Sequence, residues 1–437
     1  MRVTLIYPSM GRRLRAAQMQ PLTIAALAGL TPDEIGLSFF DDRIEDVDYD
    51  APTDLVGISV QTFTAKRAYE IADEFRRRKV PVVLGGFHVS AVPDEAAQHA
   101  DAVVIEQAEE LWPQLLEDAR HGRMRRVYQQ QQRPSLQGLR YRRSIFQGKK
   151  YLRIHMVEFG RGCPYSCGFC SVSQFFGRRK DCRPVSEVID EIRALPRGLV
   201  EFVDDNMIGD LPRAKELLRA LIPLKIRWVA QAGIEISFDK ELLELAVASG
   251  CAGLLIGLES LSEESLRQMG KSVRCHADEY SDAIAKIHAY GIRICASFLF
   301  GYDHDTSASF QNTLQFATEQ KFLLALFNHL TPFPGTPLYS EMQAQQRLRF
   351  DRWWLAEGFC WGDVVYQPKC FSAADLGDGC LQNRRGFYQL SSILRRVWLP
   401  ANRRRMAESM ILNFLVRKEV REKQGFPLGK NQSSSIS

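Results

Sequence analysis

Arg161-Gly162-Cys163-Pro164-Tyr165-Ser166-Cys167-Gly168-Phe169-Cys170 sets three cysteines at CxxxCxxC spacing in one short loop. Thiolates so spaced can wrap a single cubane iron–sulfur cluster. A 4Fe-4S cluster normally takes four protein thiolates. A loop that offers three leaves one iron open to another ligand, and an open iron turns an electron-transfer cluster into a catalytic one. Zinc is the competing metal, but closed structural zinc sites take four ligands, usually as CxxC pairs. The nearest further ligands in the sequence, Cys182 and His155, form no such pair. Gly162 suits the tight turn into the loop.

Outward from this loop, residues 151–340 alternate strand and helix. Strands are expected at 156–160, 200–204, 227–232, 253–258, 293–300 and 325–330, with helices between them. This fits a partial parallel (β/α)6 barrel, whose chemistry sits at the carboxyl ends of the strands. The cysteine loop follows the first of these strands. Residues 1–125 alternate as well, with strands at 3–7, 37–40, 55–60, 80–84 and 102–105. Their nearly all-apolar runs fit a doubly wound, Rossmann-like α/β sheet, which binds ligands beyond the carboxyl ends of its strands. The polar stretch 126–150, with Gln129-Gln130-Gln131-Gln132-Arg133-Pro134 at its centre, reads as an interdomain linker. Residues 341–428 form a mainly helical C-terminal region, with helices at 390–397 and 406–422, and 429–437 read as a disordered tail.

The 437 residues suffice for two to three domains, and 45% hydrophobic with 25% charged residues is ordinary for a globular protein. No apolar run reaches the ~20 residues of a membrane span, and the N-terminus lacks a signal-peptide pattern. Ten cysteines at irregular intervals argue against a disulfide framework and for a reducing compartment, so the expected location is the cytoplasm. A net charge of +5 does not call for nucleic acid. Positive charge gathers late, in Arg384-Arg385, Arg395-Arg396 and Arg403-Arg404-Arg405.

The cysteine spacing, with aromatic Phe169 before the last thiol, resembles the radical S-adenosylmethionine (radical SAM) superfamily. The resemblance implies that the amino and carboxylate groups of SAM chelate the open iron of a cluster on Cys163, Cys167 and Cys170. One electron then cleaves SAM to methionine and a deoxyadenosyl radical, which abstracts hydrogen from a substrate. It further implies that Asp204, Asp205 and Asn206, closing the second strand, face the SAM ammonium. Asp and Asn there also suit a helix N-cap and turn. Ile256-Gly257-Leu258-Glu259 closes the fourth strand; by resemblance Glu259 binds the ribose hydroxyls and Gly257 lets the adenosine approach.

Thr331-Pro332-Phe333-Pro334-Gly335-Thr336-Pro337 resembles a signature of radical SAM proteins with an N-terminal cobalamin-binding domain, in the branch of anaerobic cyclases and hopanoid methylases. The first domain then becomes that cobalamin domain, with Ser59, Gly85, Gly86 and His88 as its expected contacts, a structural cap of the following loop being the alternative for His88. The DxHxxG motif that supplies an axial histidine is absent. Glu106-Gln107-Ala108-Glu109 stands where relatives usually have a glycine first. By the same resemblance Trp353, Trp354 and Trp361 wall a substrate pocket, with core packing as the alternative. The late arginines are expected at a peripheral membrane surface, or on a solvated helix face.

The implied enzyme is a cobalamin-dependent radical SAM methyltransferase that acts on an unactivated carbon of a large apolar small molecule and draws on an external reductant. A non-methylating cyclase or oxidase of the same architecture is the nearest alternative. An iron–sulfur electron carrier or sensor is an alternative of another class.

Overall fold

The computed structural model describes residues 1–10, 18–271 and 279–421; the expected tail 429–437 lies outside them. Its strands are β1 (Arg2–Tyr7), β2 (Gly36–Asp41), β3 (Leu55–Ser59), β4 (Val82–Gly85), β5 (Ala102–Ile105), β6 (Val127–Gln129), β7 (Ile154–Val157), β8 (Gly160–Arg161), β9 (Asp181–Cys182), β10 (Leu199–Phe202), β11 (Arg227–Ala232), β12 (Cys251–Glu259), β13 (Ile294–Phe300) and β14 (Leu324–His329). Two compact units divide the chain near Val157, with Ser186–Val188 grouped with the first.

The first unit holds one parallel sheet in the order β2-β1-β3-β4-β5-β6. Every residue of β3 is buried, as expected of a central strand covered on both faces. The helix Ala65–Arg77 buries Ala65, Ala68, Tyr69, Ile71, Ala72 and Phe75, a single stripe at helical spacing. A Cβ on Gly57 would come within 2.9 Å of the Trp112 ring, so this glycine lets the tryptophan lie against β3. The strand order reverses between β1 and β3, which opens the crevice typical of such sheets at their carboxyl ends.

The expected linker is a correction. Residues 127–129 form β6, the sixth strand of the sheet, and Arg143–Phe146 is a 3-10 turn. Tyr128, Leu136, Leu139 and Phe146 are buried. The Arg142 backbone N–H donates to the Ala25 carbonyl (2.9 Å), and Lys149 pairs with Glu45. The glutamine-rich composition hid these widely spaced apolar anchors.

The second sheet runs β14-β13-β12-β11-β10-β7, parallel from β10 to β14. Along β13 burial alternates at every residue. The expected first strand, 156–160, is also corrected. It stops at Val157, and Gly160–Arg161 pair antiparallel with Asp181–Cys182 instead. That ribbon closes the base of the cysteine loop.

The C-terminal helices Ala373–Phe387, Leu390–Val397, Pro400–Arg403 and Met406–Arg421 belong to the same compact unit as the second sheet. Arg396 donates to the Phe322 and Leu323 carbonyls (2.8 and 2.9 Å), just ahead of β14. Asn402 donates to the Lys321 carbonyl (2.9 Å). Glu408 accepts from Arg227, the first residue of β11, and from Arg293, just ahead of β13. The last three of these helices therefore cover the amino-terminal ends of the barrel strands, opposite the end where the chemistry is expected.

Candidate active site

The cysteine loop is held from several directions. Gly162 has φ +83°, and a Cβ there would lie 2.2 Å from the Arg179 carbonyl oxygen, so only glycine fits the turn. Its N–H donates to Asp205 Oδ2 (2.9 Å). Farther along, the Gly168 N–H donates to the Met269 carbonyl (2.8 Å), and its carbonyl accepts from the Leu338 N–H (3.1 Å). The segments that follow β12 and β14 thus grip the loop between its second and third cysteines. Cys167 lies close enough to Cys163 and Cys170 to feel the charge of both, and Cys170 feels that of Cys163.

Burial pushes the Cys167 thiol up to about 11, while the Lys271 ammonium pulls it down. Among the described residues no group of three or more His, Cys, Asp or Glu converges on a single metal ion. Thiolates that share one zinc stand ~3.8 Å apart, from Zn–S bonds of ~2.3 Å in a tetrahedron. A cluster meets its thiolates at separate iron corners instead, and the donor set is three thiols from one clamped loop, which fits a 4Fe-4S group. Phe169 sits half-buried between the last two cysteines.

The run Asp204-Asp205-Asn206 serves the loop rather than an open face. Asp204 and Lys180 form an ion pair with both side chains fully enclosed, and Asp204 Oδ1 accepts the Phe159 N–H (2.9 Å). Lys180 also donates to the Asn206 carbonyl (2.7 Å). Burial pushes the Asp205 carboxyl up to about 6 against the hydrogen bond from Gly162. Asn206 is buried, with Nδ2 4.0 Å from Cys163 Sγ. The expectation that Asp204 faces the SAM ammonium is corrected, because its oxygens are taken up inside the protein.

Glu259 is held differently. Its φ of +66° is left-handed, a conformation that costs a non-glycine residue about 1–3 kcal/mol. The β12–β13 register shifts between Gly257 and Glu259. Lys271 pairs with the carboxylate (3.3 Å) and donates to the Gly257 carbonyl. Such strain at a strand end is a mark of functional sites.

Three polar groups at the carboxyl ends of the barrel strands were not singled out in the sequence. Glu235, past β11, accepts the Tyr165 hydroxyl on Oε1 (2.6 Å), while its buried Oε2 has no partner. The Tyr302 hydroxyl, past β13, is buried without a partner and senses Glu259 and Cys167. Asn328 Oδ1, near the end of β14, is likewise unpartnered. Unpaired buried polar atoms cost about 1–3 kcal/mol each. Three at one end of a barrel mark a surface shaped for a polar ligand. In the sequence, only their places just before or after a strand end pointed to them.

In the first unit, Ser59 ends β3 and is almost fully buried. Gly85 ends β4. Gly86 has φ +111°, and a Cβ there would lie 2.7 Å from the Val60 carbonyl oxygen. His88 is corrected as a cobalamin contact and takes the structural alternative: it is fully buried, with Nδ1 3.3 Å from Thr62 Oγ1 and Nε2 3.2 Å from Glu95 Oε1. It braces the core and offers neither ring nitrogen to a ligand. Glu106, where a glycine was expected, keeps the left-handed conformation glycine favours, with φ +69°. Its N–H donates to Ser90 Oγ (2.8 Å). Past β6, Gln130 is buried with both side-chain amide atoms unpartnered. This edge, with glycines at a strand end and an unsatisfied amide, fits a large ligand rich in amides, as cobalamin is.

The expected aromatic wall is core. Trp353 and Trp354 are buried, and Trp353 Nε1 donates to the Pro332 carbonyl (2.9 Å). Trp361 is only partly buried. Large aromatics here fasten the segment after β14 down onto the barrel.

Comparison with known proteins places residues 157–317 in the Radical SAM superfamily and residues 15–116 in the B12 binding domain family. The chain is 30% identical over 395 residues to bacteriochlorophyllide d C-12(1)-methyltransferase of Chlorobaculum tepidum, covering 87% of this chain and 85% of that one. It is 27% identical over 352 residues to hopanoid C-2 methylase of Rhodopseudomonas palustris, covering 77% and 66%. Among solved structures, the radical SAM methyltransferase TsrM of Kitasatospora setae, with cobalamin and a [4Fe-4S] cluster bound, superposes with a TM-score of 0.65. The two share 18% identity over 86% of this chain and 80% of that one, a likeness of fold.

Proposed function

The chain belongs to the radical SAM superfamily, in the branch with an N-terminal B12-binding domain whose enzymes work with a 4Fe-4S cluster, SAM and cobalamin. From that premise we propose that it transfers a methyl group to an unactivated carbon of a large, apolar, polycyclic small molecule, with a tetrapyrrole the foremost candidate. The observation that carries this reading is similarity over 87% of the chain to a bacteriochlorophyllide methyltransferase, joined to an intact three-thiol loop. When bound, the cluster supplies the electron that opens SAM and cobalamin supplies the methyl group.

The chain's own residues bind, orient and exclude. Cys163, Cys167 and Cys170 hold the cluster. Asp205, and Asp204 through Lys180, fix the loop that carries those thiols. Glu259, with Gly257 beside it, takes the ribose hydroxyls. Glu235 and Tyr302 offer an acceptor and a donor at the barrel mouth. Ser59, Gly85, Gly86 and Gln130 line the cobalamin edge. An external reductant and a reducing, cytoplasmic setting complete the reading, as does peripheral membrane contact through the basic C-terminal region. Among the described residues no helix is long and apolar enough to cross a membrane.

The test is anaerobic reconstitution with iron, sulfide and hydroxocobalamin, then incubation with SAM, reductant and a chlorin substrate. Deoxyadenosine together with a product heavier by one methyl group is the expected result. Deoxyadenosine with no mass gain would move the reaction to cyclisation or oxidation. Intact SAM over a filled cluster would replace the enzyme with a carrier or sensor.

A further inference from the structure

The helices Leu390–Val397 and Met406–Arg421 pack together through Arg396, whose Nη2 donates to Asn413 Oδ1 (2.9 Å). Their inner faces are accounted for: Ile393, Arg396, Val397, Ser409, Asn413 and Val420 are buried. Their outer faces are apolar and bare. Leu390, Leu394 and Trp398 recur at every fourth residue, with Trp398 61% exposed. Ile411, Phe414 and Leu415 form a second stripe, 59, 42 and 56% exposed. Exposed apolar residues scattered singly need no explanation, but a stripe on each of two packed helices does.

Charge gathers around these stripes. Residues 390–421 hold eight Lys and Arg against two Glu, a net +6, which exceeds the +5 of the whole chain. Arg395, Arg403, Arg404, Arg405, Lys418 and Arg421 are exposed. One of the two acids, Glu408, is held by Arg227 and Arg293. A bare apolar surface with an exposed tryptophan and a rim of cations is the pattern of a helix lying in a lipid interface. A second copy is disfavoured, since a two-fold contact would bring two basic rims together.

We infer that these two helices seat the protein on an anionic bilayer surface, base down. This deepens the membrane part of the reading above and rests on it, but not on the reaction. Because the helices cover the amino ends of the barrel strands, the cysteine loop lies at the far end. Strands β11–β14, six to nine residues long, at ~3.3 Å per residue put the two ends ~20–30 Å apart. The barrel mouth therefore opens away from the bilayer, and membrane contact tethers the enzyme rather than feeding substrate into it.

The test is sedimentation of the full chain with vesicles of phosphatidylcholine alone or mixed with phosphatidylglycerol. The mixed vesicles are expected to bind it at least about tenfold more tightly, with salt weakening the binding. A Leu394→Glu/Phe414→Glu variant is expected to lose that gain while its circular dichroism and iron content stay unchanged. The charge variant Arg403→Glu/Arg404→Glu/Arg405→Glu is expected to lose the preference for the anionic lipid. In the wild type, lipid is expected to blue-shift a fluorescence component that is missing from Trp398→Phe. If the wild type binds neither vesicle, both this seat and membrane contact fall. If Leu394→Glu/Phe414→Glu binds like wild type, membrane contact stands but this face is not its seat. A lipid-free dimer that the same substitutions dissolve would assign the face to a second copy and overturn the inference.

Discussion

The two ends of the barrel use their polar groups differently. At the carboxyl ends, Glu235 Oε2, the Tyr302 hydroxyl and Asn328 Oδ1 are buried without partners, and Glu259 carries a left-handed backbone. At the amino ends, Arg396 uses all five N–H groups, on Ser392 Oγ, Asn413 Oδ1 and the carbonyls of Phe322, Leu323 and Phe387. Its guanidinium also lies 3.7 Å over the Phe387 ring. At the base Arg293 Nη1 and Asn402 Oδ1 are also buried without partners, but each of those side chains is anchored through its other atoms, whereas at the mouth the Tyr302 hydroxyl is left wholly open. Substitutions at the mouth should therefore cost activity and spare the fold, and substitutions at the base should do the reverse.

The largest effect is expected at the mouth. Cys167→Ala removes one of three thiolates, so no cubane assembles. Iron content and the visible absorption of reconstituted protein should fall to background, and SAM cleavage with them. The apparent melting temperature of the protein without cluster should move little, because the thiol makes no contact on which the barrel depends. A large drop in that melting temperature would show that the loop is part of the fold's support.

Next comes the base. Arg396→Met leaves several buried acceptors without donors, each worth about 1–3 kcal/mol, for a loss of about 4 kcal/mol. In a unit of this size that lowers the melting temperature by roughly 10 °C. Activity per folded molecule should stay at the wild-type value. Normal stability with impaired SAM cleavage would break the division between the ends.

What the sequence disclosed follows the same line. The cluster loop was legible because a metal group imposes short, fixed spacing on one stretch of chain. The parallel sheets were legible because a strand such as β3 is buried on both faces and reads as an unbroken apolar run. The clamps were not, because each joins residues far apart: Lys180 to Asp204, Gly168 to Met269 and Leu338, Glu408 to Arg227 and Arg293. Asp204 looked like a ligand for the same reason that it is a good anchor, a carboxylate at a strand end, and only its buried partner decides between the two. His88 misled likewise, since a histidine after a Gly-Gly turn reads the same whether it faces a cofactor or the core. Strand β6 was missed because three residues among glutamines carry no period.

Glu408 is a smaller test of the base. Burial alone would raise its carboxyl, but the hydrogen bonds from Arg293 and Arg227 outweigh it and hold the group below the ordinary carboxylate range. A depressed folded-state pKa adds stability above the unfolded value of ~4.3 and loses it as pH falls through the folded value. Glu408→Gln should therefore cost about 1 kcal/mol at neutral pH, in keeping with a partly exposed ion pair. The difference from wild type should shrink in acid, as read from chemical melts at several pH values. A gap that widens in acid would mean the carboxylate is not held by these arginines.

The smallest effect on stability is the sharpest test of the mouth. The Tyr302 hydroxyl is buried and has no partner, so Tyr302→Phe deletes a group that gives the fold nothing. Removing a buried, unsatisfied polar atom while keeping its shape is neutral to stabilising, by up to about 1 kcal/mol. The melting temperature should hold or rise slightly. The same hydroxyl lies near Glu259 and Cys167, where a SAM molecule on the cluster would need a donor. SAM binding should weaken several-fold in Tyr302→Phe, measured by equilibrium binding to reconstituted protein before any turnover. Rising stability with falling SAM affinity is the signature of a group kept for a ligand. Falling stability with unchanged affinity would make Tyr302 one more brace, and the contrast between the two ends of the barrel would then rest on Glu235, Asn328 and Glu259 alone.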